Sequence, residues 1–261
     1  MSEFIEVVER YPIPDIPTVD LPEEDGVPLE TNRHRIQMNL LIDLIKYLWR
    51  NRQDFFVGGN MFVYYSLQQV SNRSYKGPDV FVVKNVDGRR PRRKWVVWQE
   101  DGRYPDVIVE LLSPSTMGED LGNKKDLYAH TFHTPDYFCY DPETHRLMGW
   151  RLSGTEYTPL TSNQHGWLWS EELGAWLGLW EGVYQQERAT WLRLYDTIGQ
   201  LIPAEAEAER QRAEAAETRA EAAETRAEAE RQRAEAERQR AEAAEAELLR
   251  LREELARLKN P

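Results

Sequence analysis

The sequence predicts a mixed α/β fold: a β-sheet of mixed strand direction flanked by helices, followed by one long C-terminal α-helix. Three observations lead there. An early amphipathic helical period gives way to short runs rich in β-branched and aromatic residues, bounded by Gly, Pro and Asn. The order helix, strands, helix, strand, hairpin lacks the strict β-α-β alternation of a doubly wound sheet. The last quarter of the chain is an Ala/Glu/Arg repeat with no material for a globular core.

Residues 1–28 are proline-rich and acidic without an apolar period, and read as an extended arm. Over residues 30–50 the apolar side chains Ile36, Leu40, Leu41, Leu44, Ile45 and Leu48 recur at helical spacing, and Asn51 supplies a stop. Strands are expected at 55–57 and 61–65 around Gly58-Gly59-Asn60, at 80–83 after Gly77-Pro78-Asp79, and at 107–112 after Tyr104-Pro105-Asp106. Residues 119–130 suit a helix, 137–140 a further strand, and 148–152 with 156–160 a hairpin around Ser153-Gly154. The tryptophan-rich stretch 167–191 reads as irregular structure leading into a helix that ends near Leu201.

From Ala206 five heptads run in register, and Leu248 and Leu255 continue the a positions while Leu251 and Leu258 continue d. One long helix over 204–261 is expected, with a leucine seam confined to its end and self-association as a homo-oligomer through it. A solvated single helix is the alternative. The expected organisation is an arm (1–28), a domain (29–203) and a heptad-repeat helix (204–261).

All nine Trp and all twelve Tyr lie before that helix, ample for one sizeable core. The single cysteine, Cys139, excludes an intramolecular disulfide framework, and no secretory leader pattern is present, so a cytoplasmic location is expected. No apolar run approaches the roughly 20 residues that a bilayer span needs, so no membrane partner is expected. The net charge is −12; with 16 acids and 12 bases in 204–261, the remainder carries −8. General electrostatic attraction to nucleic acid is therefore not expected. Any such partner would need a local patch, for which Arg89, Arg90, Arg92, Arg93 and Lys94 are the candidates, a solvated loop being the alternative.

Two acids stand out: Asp79 and, after 30 intervening residues, Glu110 each sit in an apolar strand that would otherwise be interior. A buried carboxylate without a partner costs several kcal/mol, so such residues call for a cation, a base or an exposed strand end. On neighbouring strands they can share a hard cation such as Mg²⁺ or Mn²⁺. Asp106 is either a strand-start turn residue or an accessory group. His130, His133 and Cys139 have no zinc-like spacing.

The strings GPDVFVV, YPDVIVELLSPST, KKDLY and PDYFCYDP resemble a large bacterial restriction-endonuclease family within the PD-(D/E)xK nuclease superfamily. The resemblance covers about residues 25–200. It implies a restriction-endonuclease-like core and metal-dependent hydrolysis of phosphodiester bonds in nucleic acid, DNA being expected. It further implies Mg²⁺ or Mn²⁺ held by Asp79, Glu110 and the carbonyl of Leu111. The general pattern has a lysine two residues after the second acid, where this chain has Leu112. In the family the lysine sits on the following helix, four residues before a tyrosine; counting back from Tyr128 gives Lys124, with Lys125 beside it. Accessory residues on the first helix would be His34 or Glu30. The missing strand lysine and the net acidity leave open a different class: a catalytically degenerate nuclease fold serving as an assembly module.

Overall fold

A computed structural model of the chain describes residues 31–66 and 77–259. The expected 1–28 arm lies outside them. Helix α1 (Asn32–Leu48) begins where Thr31, as N-cap, accepts the His34 amide proton on its hydroxyl at 3.2 Å. It buries the predicted stripe of Ile36, Leu40, Leu41, Leu44 and Ile45. Strands β1 (Phe55–Gly59), β2 (Val63–Tyr64), β3 (Val80–Lys84), β4 (Trp95–Val96) and β5 (Val107–Leu111) follow.

The segment predicted as one helix is split into α2 (Met117–Asp120) and α3 (Asn123–His130). The break falls at Gly122, where an added Cβ would lie 2.8 Å from the Gly118 carbonyl oxygen. Strand β6 (Asp136–Asp141) and the hairpin β7 (Arg146–Ser153) and β8 (Glu156–Pro159) complete a six-stranded sheet ordered β1-β3-β5-β6-β7-β8. Within this sheet only β5 and β6 pair in parallel, across the α2–α3 crossover, and its other pairs are antiparallel; β2 and β4 form a separate parallel pair. The sheet is therefore mixed, as expected.

The central strands are unbroken apolar runs because both faces are covered. On one face Val80, Val82, Val107 and Val109 pack beneath α1; on the other Phe81, Val83 and Ile108 meet Tyr128, Phe132 and Tyr137.

One expectation fails. The tryptophan-rich stretch is not irregular structure and a helix but a second antiparallel sheet, β9 (Leu168–Ser170), β10 (Ala175–Tyr184) and β11 (Glu187–Tyr195). Its long hairpin turns at Gln185 and Gln186, both left-handed (φ 46° and 67°). Neither is the Gly, Asn or Asp that signals such a turn, so local composition carries no hairpin cue. Gln37 of α1 binds this sheet: its amide accepts from Leu192 N at 2.8 Å and donates to Leu192 O at 3.0 Å.

Helix α4 (Glu205–Lys259) is 55 residues long, about 80 Å at 1.5 Å per residue. Its first turn is part of the packed body. Ala204 and Ala208 are buried, and the fully buried Arg193 guanidinium donates to both carboxylate oxygens of Glu207 (3.0 and 2.6 Å) and to Ile202 O. Beyond, Leu248, Leu251 and Leu255 are more than half exposed. No described helix is long and apolar enough to cross a membrane.

Candidate active site

Alternation along β5 decides where Glu110 points. Val107, Val109 and Leu111 face α1, so Glu110 faces the α3 side with Ile108, and it is wholly buried. Asp79 immediately precedes β3, whose antiparallel register sets Val80 opposite Val109 and so brings Asp79 to the end of β5. The two acids are joined through the backbone: Asp79 N donates to Glu110 Oε2 at 3.2 Å, and Leu111 N donates to Asp79 Oδ2 at 2.7 Å.

Helix α3 covers the pair. Residues 124 and 128 are one helical turn apart, hence on one face. Lys124 Nζ donates to Glu110 Oε1 at 3.0 Å and the Tyr128 hydroxyl donates to the same oxygen at 2.8 Å. One turn earlier Asp120, also buried, places Oδ1 2.8 Å from Lys124 Nζ, an ion-pair distance without hydrogen-bond alignment. The Tyr137 hydroxyl donates to the Asp120 carbonyl at 2.8 Å and anchors that turn to β6.

Three carboxylates thus face one ammonium in a buried cluster. Burial pushes the Glu110 carboxyl up to about 8, helped by the charges of Asp79 and Asp120 and opposed by Lys124 and Tyr128. Burial raises Asp79 as well, against the Leu111 amide and Lys124. For Lys124, burial disfavours the charge, but Glu110 and Asp120 outweigh it and keep the ammonium protonated. With every acid ionised the cluster would carry a formal −2, the charge that one divalent cation cancels.

The residues fit such a cation in part. Asp79 and Glu110 converge, and Asp79 Oδ1 takes no hydrogen bond from the described residues. Among the described residues no three His, Cys, Asp or Glu side chains form a metal-ligand group. Two carboxylates completed by backbone, water and phosphate oxygens is nevertheless a usual set for Mg²⁺.

Other predicted residues lie elsewhere. Lys125, about 100° around the helix from Lys124, stacks its ammonium 4.0 Å from the Trp150 ring centroid, away from the acids. Asp106 lies at the opposite end of β5 and caps β3, accepting from Lys84 N at 2.6 Å; four residues of strand put it about 13 Å from Glu110. His34 Nδ1 lies 2.9 Å from Thr31 Oγ1, and its buried Nε2 has no hydrogen-bond partner, so it makes no bond to either acid. Glu30 lies outside the described residues.

The basic run does not act as one loop. Arg92 turns inward, making a two-pronged ion pair with Glu100 (both 2.9 Å) over the rings of Phe56 and Trp95. Arg89 is tied to Asp87, and Arg90 lies 3.6 Å from Glu100. Arg93 and Lys94 remain exposed, with Lys94 over Tyr64. Sequence reasoning missed Asp120, although the 120, 124, 128 spacing on successive turns marks one face of a helical segment.

A mixed sheet that carries Pro-Asp before one strand and a buried Glu in its neighbour, overlaid by a helical lysine, defines a restriction-endonuclease-like protein. The chain belongs to the Uma2 family, described as "Putative restriction endonuclease", whose family model matches residues 8–187. Among solved structures it is similar to a "putative nuclease" of the DUF820 group from Anabaena variabilis. That likeness has 13% identity and a TM-score of 0.41, over 56% of this chain and 76% of the other. No curated protein matches the chain.

Proposed function

We propose that the protein is a metal-dependent nuclease that hydrolyses phosphodiester bonds, with DNA as its expected substrate. The observation that carries this reading is the convergence of Asp79 and Glu110 under Lys124 and Asp120, a set whose formal −2 with every acid ionised is cancelled by one divalent cation. Asp79, Glu110 and the Leu111 carbonyl would hold Mg²⁺ or Mn²⁺. A bound cation of this kind neutralises charge building on the phosphate and lowers the pKa of a neighbouring water.

The chain's own residues do the rest. Asp79 and Glu110 are fixed to each other by amide hydrogen bonds, so their oxygens are set before substrate arrives. Lys124, held protonated between Glu110 and Asp120, offers an ammonium proton to a phosphate oxygen or to the attacking water. Tyr128 orients Glu110 and removes one lone pair from competition. Asp120 acts through Lys124 as a positioning residue, directing its ammonium toward Glu110.

Cleavage of supercoiled plasmid and single-stranded DNA in Mg²⁺ or Mn²⁺ tests the reading. Asp79→Ala, Glu110→Gln and Lys124→Met should each lower the rate by at least about 100-fold, a loss typical for removal of a charge-stabilising group. Equal cleavage by all preparations would reveal a contaminant and defeat the assignment. A second reading, a silent nuclease fold serving as an assembly module, is favoured by one observation: Lys124 already neutralises part of the acid pair. No cleavage combined with no metal binding would select it.

A further inference from the structure

The exposed end of α4 carries charges in a pattern as regular as its leucines. With Ala206 at a, its last heptads place Ala241, Leu248 and Leu255 at a, and Ala244 and Leu251 at d. The flanking positions are Arg240, Glu247 and Glu254 at g, and Glu245 and Arg252 at e. Among the described residues Arg238 and Glu242 form an ion pair along the exposed repeat (2.9 Å), whereas Arg240, Glu245, Glu247 and Arg252 form none within the chain. The charges that border the leucine seam therefore have no partner in their own helix.

We infer that residues 240–255 pair in parallel and in register with the same segment of a second copy, which sets the two folded bodies at one end of the assembly. In that arrangement g of one helix faces e of the next heptad in the other. Arg240 meets the partner's Glu245, and Glu247 meets the partner's Arg252, opposite charges in both cases. Leu248, Leu251 and Leu255 each pack on their own counterparts. Antiparallel helices fit less well, because there e faces e and g faces g. The register that sets Leu251 against the partner's Leu255 brings Arg252 against the partner's Arg252 and Glu254 against the partner's Glu254. A longer overlap sets Leu255 against the partner's Ala244 and Glu247 against the partner's Glu254.

The seam is confined to this terminal segment. In the two preceding heptads parallel helices would oppose Arg233 to the partner's Arg238 and Arg226 to the partner's Arg231, with Glu237 and Glu230 at d. The alanine heptads before those bury little area. Glu207, clamped to the body by Arg193, is 33 residues from Arg240, about 50 Å of helix. Two bodies at one end present any site they carry twice to one extended ligand, so that the first contact raises the effective concentration of the second. The pairing itself does not depend on the nuclease reading.

Disulfide trapping in the full chain tests the direction. Ala244→Cys puts a thiol at d, where it meets its own counterpart in parallel helices in register and in neither antiparallel register. Oxidation, thiol blocking and a non-reducing gel should show most of this variant as a covalent dimer and none of the wild type, whose Cys139 is buried. Charge exchange reads the direction independently, by sedimentation equilibrium at tens of micromolar. Arg240→Glu should weaken association about 10-fold, and adding Glu245→Arg should restore it, since residues 240 and 245 face each other only across parallel helices. A monomeric wild-type chain, association without trapping at residue 244, or a double variant no tighter than Arg240→Glu would each overturn the proposal.

Discussion

Glu110 concentrates the chemistry of the chain in one side chain: a carboxyl wholly buried, bonded to Lys124 and Tyr128 through one oxygen and to the Asp79 amide through the other. Its pKa of about 8 in the folded protein exceeds the ordinary carboxylate value of 4.5. The stability linked to its proton is therefore present below about pH 4.5 and lost as pH rises through about 8. Glu100 has the opposite sign, because its hydrogen bonds from Arg92 hold it low, so its contribution fades on acidification. Metal-free protein should be most stable at mildly acidic pH and melt at falling temperature between about pH 5 and 8, and Glu110→Gln should flatten that fall. Calorimetric melting in EDTA across this range checks it; a wild-type Tm that rises toward pH 8 would contradict it. Asp79 and Glu110 were legible in the sequence because carboxylates inside β-branched runs are costly without a partner. Asp106 sits in a similar string, and only strand direction, absent from local composition, separates it from the pair.

At the scale of elements, local periodicity carried most of the fold. Helix α1, the strands β3, β5 and β6, the hairpin β7–β8 and the terminal helix all follow from spacing and turn residues. The β10–β11 hairpin did not, because its turn residues are Gln185 and Gln186 and its tryptophans suit several backbone states. Nor did the α2–α3 break at Gly122, which sets Asp120 beneath Lys124. Helix α4 combines two regimes: a first turn clamped by Arg193 and a distal segment whose leucines face solvent. We propose that those leucines pair with the same segment of a second copy, since the seam at Leu248, Leu251 and Leu255 keeps heptad spacing. Light scattering should then give a dimer or trimer for the full chain and a monomer after deletion of 213–261, which spares the Glu207 clamp. A monomeric full chain at tens of micromolar would contradict the pairing.

In the whole molecule the acid pair and the exposed heptad repeat lie on different elements. The central strands are buried on both faces, and Glu110 lies on the face covered by α3. The first turn of α4 packs on the body while the rest extends away, so the heptad repeat can associate without covering the acids. The net charge of −12 makes long-range attraction to a polyanion weak. We propose that Asp79 and Glu110 together hold one divalent cation. Isothermal titration of the full chain with Mn²⁺ near pH 8 tests it most directly. A single site is expected, one that disappears in Asp79→Ala and Glu110→Gln and binds more weakly as pH falls toward 6, because the Glu110 proton must leave. No binding at millimolar Mn²⁺, or binding indifferent to both substitutions, would contradict it.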